Sequence, residues 1–494
     1  MPIITHLHGG HTDWPWDGNP EFFYTYNDRV KGPQWRNVPG GFTNKFTYDN
    51  DIFAGNLWYH DHALGITRLN VYAGLAGFYF VRDEYDTGEP GNPLNLPAWP
   101  YEKAYAIQDR MFYDDGRLFY PAFPGDPYYD GFITGEGAVL PEEIFPGGGP
   151  TALAEFFGDH MVVNGKIWPK EEVEPRYYRM HLLNGTDSRF MAIQFVQVPL
   201  NVTDFSSQIG GPLQFHVIGS DQGLGDEIKN VNMLLLEPGS RYDIIFNFRN
   251  RSGQRIIMKN IGGDQPFGGD LVTDDLSLQV FECTDRIMAF DVNKPLHHFT
   301  AVADLPNQDL VRPTNNEIDF GPRIEDLGNH RTRKVALFEG TDEFGRLQPL
   351  LGTAEPATDY EDQPINWPDE EPYISAGLIG QMEGSIAWHS PTTENPALYS
   401  TETWEIYNAT GDAHPIHLHL VHFKVLNRQD VILATEDQAV VQHNGAIGNG
   451  SKITNIELQG NPITTPPDGY VENTPKDMVT ALPGQVNSHL GDVR

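Results

Sequence analysis

At 494 residues the chain is long enough for two to four domains. Its 68 acidic against 33 basic residues give a formal charge of −35, which disfavours nucleic acid and anionic membranes as partners because both repel it. A single cysteine, Cys283, excludes intrachain disulfides and paired-cysteine zinc sites; no apolar run approaches membrane-spanning length, and Met1-Pro2-Ile3-Ile4 lacks the regions of a signal peptide. The 50 glycines and 38 prolines, with short β-branched and aromatic runs between turn clusters, predict an all-β protein. A first unit spans 1–83 and ends in the strand-like Gly77-Phe78-Tyr79-Phe80-Val81; residues 84–100, rich in Pro, Gly and Asn, read as a linker. A second unit, 101–284, carries predicted strands at 160–163, 177–183, 213–218, 242–246 and 276–281. A connection over 285–333 leads to a third unit, 334–494, opening at Val335-Ala336-Leu337-Phe338 and holding an acidic, proline-rich insertion at 355–372 that reads as a solvated loop.

A weak internal repeat links the last two units. The second has Asn184-Gly185-Thr186 at a strand end and, later, Glu237-Pro238-Gly239; the third has Asn408-Ala409-Thr410 and, later, Leu482-Pro483-Gly484. One β-sandwich plan is expected to recur in each unit. After Pro238-Gly239 the chain alternates through Tyr242, Ile244 and Phe246, whereas after Pro483-Gly484 it reads Gln485-Val486-Asn487-Ser488-His489 and soon stops, so the final strands are expected to be missing. Only Met1 to Thr5 precede His6, so the first sandwich is expected to lack its opening strands too.

The stretch His414-Pro415-Ile416-His417-Leu418-His419 puts three histidines in six residues. Alternate side chains of a strand share a face, so His417 and His419 are expected to aim at one point, with His414 on the turn leading in. The spacing recurs in His6-Leu7-His8 and His60-Asp61-His62, flanked by Ile3, Ile4, Trp58 and Tyr59. Two imidazoles so spaced can grip one ion or divide between two, and imidazole suits Cu, Zn, Fe and Ni. Three pairs from both ends of the chain predict a convergent metal site. A zinc or iron hydrolase would usually add carboxylate ligands, and Asp61 points to the opposite strand face, which weakens that reading. His160, His181 and His216 stand singly and read as ordinary core or surface histidines.

The segments His6-Leu7-His8-Gly9-Gly10, Leu57-Trp58-Tyr59-His60-Asp61-His62 with the following Arg68-Leu69-Asn70-Val71-Tyr72-Ala73-Gly74, and the stretch 414–419 resemble three of the four copper motifs of multicopper oxidases. More narrowly they resemble bacterial three-domain laccases of the spore-coat, bilirubin-oxidase and phenoxazinone-synthase type, along nearly the whole chain. The resemblance implies three cupredoxin-like Greek-key β-sandwiches, the copper cluster lying between the first and last. It implies one-electron oxidation of phenols or aromatic amines coupled to reduction of dioxygen to water. It assigns His6 and His417 to the type 2 copper, His8, His60, His62 and His419 to the type 3 pair, and His414 to the type 1 copper. Asp17 matches an acidic residue that helps protons reach reduced oxygen; as a turn aspartate before Gly18 it has an ordinary reading as well.

The family's fourth motif, a His-Cys-His that supplies the type 1 sulfur and the electron path onward, has no counterpart in the sequence. Cys283, beside Glu282 and Asp285 with no histidine near it, is not expected to replace it. The chain is therefore expected to be truncated at both ends, with sparse, colourless copper. The alternative is a non-catalytic copper-binding cupredoxin protein. Small aromatic donors and dioxygen are the expected partners. Residues 121–150 and 379–388 are the candidate substrate region, while the substrate itself, the oligomeric state and the compartment, in this family often extracellular or spore coat, stay unassigned.

Overall fold

The computed structural model describes residues 1–35, 45–269, 281–297, 330–466, 469–472 and 474–493. Among these the architecture is strand-dominated, with one six-residue α-helix, Thr67–Tyr72, and no helix long and apolar enough to cross a membrane.

In the first unit, Thr5–His8, Gly55–Asp61 and Ala76–Val81 form an antiparallel three-stranded sheet. Alternation sorts the residues: Leu7, Leu57 and Val81 pack in an apolar cluster, while His6 and His8 occupy the opposite side of their strand.

The second unit pairs an eight-stranded with a five-stranded sheet. Ile107, Leu182, Phe195, Phe246, Ile256 and Phe290 fill the space between them and are completely buried. The predicted strands appear at His160–Val163, Tyr177–Asn184, Phe215–Ser220 and Arg241–Asn247; the one at 276–281 lies almost wholly outside the described residues. Arg286–Val292 falls in the span read as a connection, yet it is a strand of the five-stranded sheet, paired with Gln254–Asn260 and Lys170–Val173. Its Ile287, Phe290 and Val292 enter the same core.

The third unit holds a seven-stranded sheet and a two-stranded ladder of His414–His417 with Met478–Ala481. Three expectations are corrected here. Gln485–Val493 is itself a strand, central between Ser400–Asn408 and Phe423–Val441. Its polar residues hid it, because Asn487 and His489 are buried alongside Val486 and Leu490. The insertion at 355–372 is not simply a solvated loop: Ala357 and Trp367 pack with Tyr373, Leu378, Met382 and Val441 in a small core. Finally, Arg331–Thr341 begins before residue 334.

The repeat is visible bond for bond. The Asn184 amide donates to the carbonyls of Arg189 and Leu236, and Asn408 to those of Asp412 and Ala481. The backbone N–H of Thr186 and that of Thr410 each donate to the side-chain oxygen of that asparagine. Gly239 and Gly484 each return a backbone N–H to the same asparagine's carbonyl. Each asparagine thus ties three chain segments at a sandwich corner, satisfying backbone groups that irregular turns would leave unpaired.

Candidate metal centre

Strand register builds half the site. His6 lies directly opposite His60 across the antiparallel pair, and His8 opposite Trp58. His6, His8 and His60 therefore share a face. His62 follows the strand end, held by its N–H to the Ile4 carbonyl at 2.8 Å. Asp61 turns away, as alternation requires. Its carboxylate accepts from Ile4 N at 2.9 Å, Ala63 N at 3.1 Å and the Asn70 amide at 2.8 Å, so it braces the loop that carries His62.

The other half comes from the third unit. His417 stacks on His8 with centroids 3.5 Å apart, and His419 stacks on His6 at 3.9 Å. The local geometry differs from expectation: His414 is a strand residue and not part of the leading turn, while His419 has already left the strand. His417 and His419 still face the cluster, their rings 4.9 Å apart. His414, three residues before His417 on a strand, falls on the opposite face. Its Nε2 lies 2.7 Å from the Thr410 hydroxyl and 4.0 Å from Glu339, outside the cluster.

Six rings thus converge, and the tautomers of three of them follow from the groups behind them. His6 Nδ1 lies 2.6 Å from the Asp17 carbonyl, His417 Nδ1 2.9 Å from that of Asp477, and His60 Nδ1 2.7 Å from that of Asp61. A carbonyl only accepts, so each Nδ1 carries the proton and each Nε2 presents a lone pair. His6 Nε2 and His417 Nε2 then face each other at 3.3 Å, and His60 Nε2 faces His8 Nδ1 at 3.4 Å. In the His6–His417 pair both lone pairs are thus set against each other, and at this distance they repel unless a cation lies between them. Imidazole nitrogens bind such metals at about 2.0 Å, so the spacing suits two donors on one ion. His62 Nδ1 is buried without a hydrogen-bond partner. The donor set fits a transition-metal cluster.

Burial keeps these imidazoles neutral. It pushes His6 down to about 4 and His62 to about 3, with neighbouring imidazoles adding to the fall; His8 and His60 are also held well below the ordinary value. Asp17 does more than shape a turn. Its carboxylate lies 2.9 Å from His419 Nδ1 and 3.3 Å from His6 Nδ1. Burial pushes Asp17 up, but the bonds to His419 and His6 outweigh it and hold the carboxyl below the usual range. The turn needs Gly18: at φ +83 a Cβ there would stand 2.8 Å from the His6 Cα.

A cavity of about 580 Å³ adjoins the rings, lined by His8, His60, His62, His417 and His419 together with Arg68, Arg110, Asp187 and Tyr72. None of its lining residues comes from 121–150 or 379–388. Cys283 sits in the second unit at φ +70, its carbonyl accepting from the Trp168 indole at 3.1 Å. Asp477, Arg241 and Gln222, which stand behind the rings, went unnoticed in the sequence because they are isolated polar residues. The one available signal was the charged pair Lys476-Asp477 running straight into the apolar Met478-Val479.

Comparison with known proteins agrees with this chemistry. The family profile described as multicopper oxidase matches residues 368–453. Laccase from Bacillus subtilis is 33% identical over 435 residues, covering 88% of this chain and 66% of its own length. Laccase from Bacillus stratosphericus is 31% identical over 429 residues, covering 87% and 66%. The chain thus spans just under two thirds of the length of these curated relatives. Among solved structures, the 2F4 variant of the McoA multicopper oxidase from Aquifex aeolicus superposes with a TM-score of 0.58 at 21% identity. The match covers 100% of this chain and 78% of that one, and speaks for the fold.

Proposed function

On the premise that the chain belongs to the multicopper oxidases, we propose that its six-histidine cluster is a copper centre of the laccase-like kind. Small phenols or aromatic amines are the proposed electron donors and dioxygen the acceptor, reduced to water. The observation that carries this reading is the pair of opposed nitrogen lone pairs that His6 and His417 bring from the first and third units, within a cluster of six imidazoles drawn from three separate stretches of chain.

His6 and His417, whose Nε2 atoms face each other, are proposed to share the type 2 copper. His8, His60, His62 and His419 go to the type 3 pair, and His414 to the type 1 copper. When bound, copper supplies the one-electron steps and the affinity for dioxygen. The protein's part is to hold neutral imidazoles, exclude competing protons by burial, and keep an ionised carboxylate at the rim. Asp17 touches His6 and His419 at once, which suits it to pass protons between solvent and that side of the cluster.

His414 offers one donor, and Cys283 belongs to the second unit, hydrogen-bonded to Trp168 through its carbonyl. That observation favours a second reading for the chain by itself: copper bound at the cluster with little or no turnover of aromatic donors. Oxygen uptake with a phenolic donor, recorded on copper-loaded protein together with its visible spectrum, separates the two. Colourless copper without uptake supports the second reading. Uptake with an intense blue band supports a complete oxidase whose sulfur ligand comes from outside this chain.

A further inference from the structure

The second unit gives no histidine to the cluster, yet it stands behind two of them. Arg241 opens the strand Arg241–Asn247 and is fully buried. Its Nη1 lies 2.8 Å from Asp477 Oδ1 and 3.1 Å from the Gly239 carbonyl. Its Nη2 lies 2.5 Å from Asp477 Oδ2 and 3.1 Å from the Asp221 carbonyl, and its Nε donates to Asn56 O at 3.0 Å. All five N–H groups of the guanidinium are therefore used. They join first-unit backbone, second-unit backbone and a third-unit carboxylate.

Gln222 repeats the pattern on a smaller scale. Its amide donates to the Gly9 carbonyl at 2.8 Å and to Asp477 Oδ2 at 2.6 Å. Gly9, next to His8, is pressed onto this junction: at φ +86, a Cβ there would lie 2.5 Å from Asp477 Oδ2 and 2.7 Å from Arg241 Nη2.

Asp477 in turn faces the metal ligands. Its carbonyl takes the proton of His417 Nδ1 at 2.9 Å, and its Oδ1 stands 3.3 Å from His8 Nε2. His8, His417 and Asp477 are close enough to one another to be taken for a metal site. The fork of Arg241 and the amide of Gln222 already engage both carboxylate oxygens, which makes Asp477 an orienting group and not a ligand.

We infer that Arg241 is a positioning residue for the copper cluster: it fixes Asp477, and Asp477 fixes the outer nitrogens of His8 and His417 so that their inner nitrogens point at the metal. The inference rests on the copper reading proposed above. It gives the histidine-free middle unit a defined role, aligning one ligand from the first unit with one from the third.

The test compares wild type with Arg241→Lys, Asp477→Asn and a control, Arg179→Lys. Arg179 clamps Asp86 and Asp243 in a similar buried fork, with partners from the 84–100 linker and the second unit. Cu(II) affinity is measured by chelator competition and the Cu(II) hyperfine pattern by electron paramagnetic resonance, with thermal unfolding alongside. Lysine keeps the charge and loses the fork, so Arg241→Lys is expected to weaken copper binding by roughly 10- to 100-fold and shift the hyperfine pattern, as is Asp477→Asn. Arg179→Lys should lower thermal stability without either change. If Arg241→Lys does not fold, Asp477→Asn, nearly isosteric, carries the test alone. Wild type that binds no copper overturns the copper reading and this inference with it. Wild type that binds copper, beside Arg241→Lys or Asp477→Asn variants with unchanged affinity and spectrum, overturns the inference only.

Discussion

The six-histidine cluster and the half-buried surroundings of His414 are each crowded with one kind of titratable group, and loss of solvent acts on them in opposite chemical senses. In the cluster it pushes His6 and His62 down, so the rings stay neutral and keep their lone pairs. Around His414 the crowding groups are carboxylates. Burial, then Asp412 and Glu339, push Glu155 up to about 8, and burial, then Asp412, raises Glu339. A neutral imidazole is a ligand, whereas a protonated carboxyl is a poor one. The same low dielectric therefore prepares one pocket for a transition metal and leaves the other, at neutral pH, with one imidazole held by Thr410.

The sharpest way to break this contrast is to remove one ring from each pocket. His417→Ala deletes a nitrogen that faces His6, so copper affinity at the cluster should fall by on the order of 100-fold or more, while His414→Ala should leave cluster copper unchanged. Chelator competition reads both; equal losses would mean the two pockets are not separate. Asp61→Ala should follow in size. It strands two buried backbone N–H groups and the Asn70 amide, and should cost about 3 kcal/mol in urea unfolding.

Gly9→Ala tests the junction beside the cluster. Its positive φ and the 2.5 Å approach to Asp477 should destabilise the fold by about 2 kcal/mol. Gly91→Ala, at φ +83 with nothing within 4 Å, should cost only about 1 kcal/mol, and calorimetric unfolding of the two variants beside wild type reads both. The smallest effect belongs to Glu155. The folded chain holds its proton up to about pH 8, while the unfolded chain releases it near the ordinary glutamate value of 4.5. Its contribution to stability is thus full below about pH 4.5 and is lost as pH rises through about 8, by on the order of 1 kcal/mol. Urea midpoints of wild type and Glu155→Gln at pH 5 and pH 9 check this; the variant's pH response should be flatter by that amount.

Much of the site was legible because its chemistry is written locally. A His-x-His on a strand declares a shared face, and Asp61 between two histidines declares its own opposite orientation. The register that sets His6 against His60 was not legible, since nothing local says which residues of two strands meet. Nor was the end of the strand at His417, which leaves His419 outside it, just before Leu420 at φ +67, a conformation a leucine rarely signals. Arg241 and Asp477 lie 236 positions apart and meet only because the second and third units pack together. The strand Gln485–Val493 escaped notice for a related reason. Its Asn487 and His489 are polar by type but buried, Asn487 donating to the Thr480 carbonyl, so the alternation read in the sequence did not mark the true interior.

Opposed imidazole nitrogens from the first and third units, on the proposed function, hold copper together. The most direct test is retained copper, by elemental analysis, after loading wild type and a His6→Ala/His417→Ala double variant and dialysing both against a chelator. Copper should be retained by the wild type and depleted by at least one equivalent in the double variant, with both proteins still folded. Equal retention by the two proteins, or none by either, would contradict that reading.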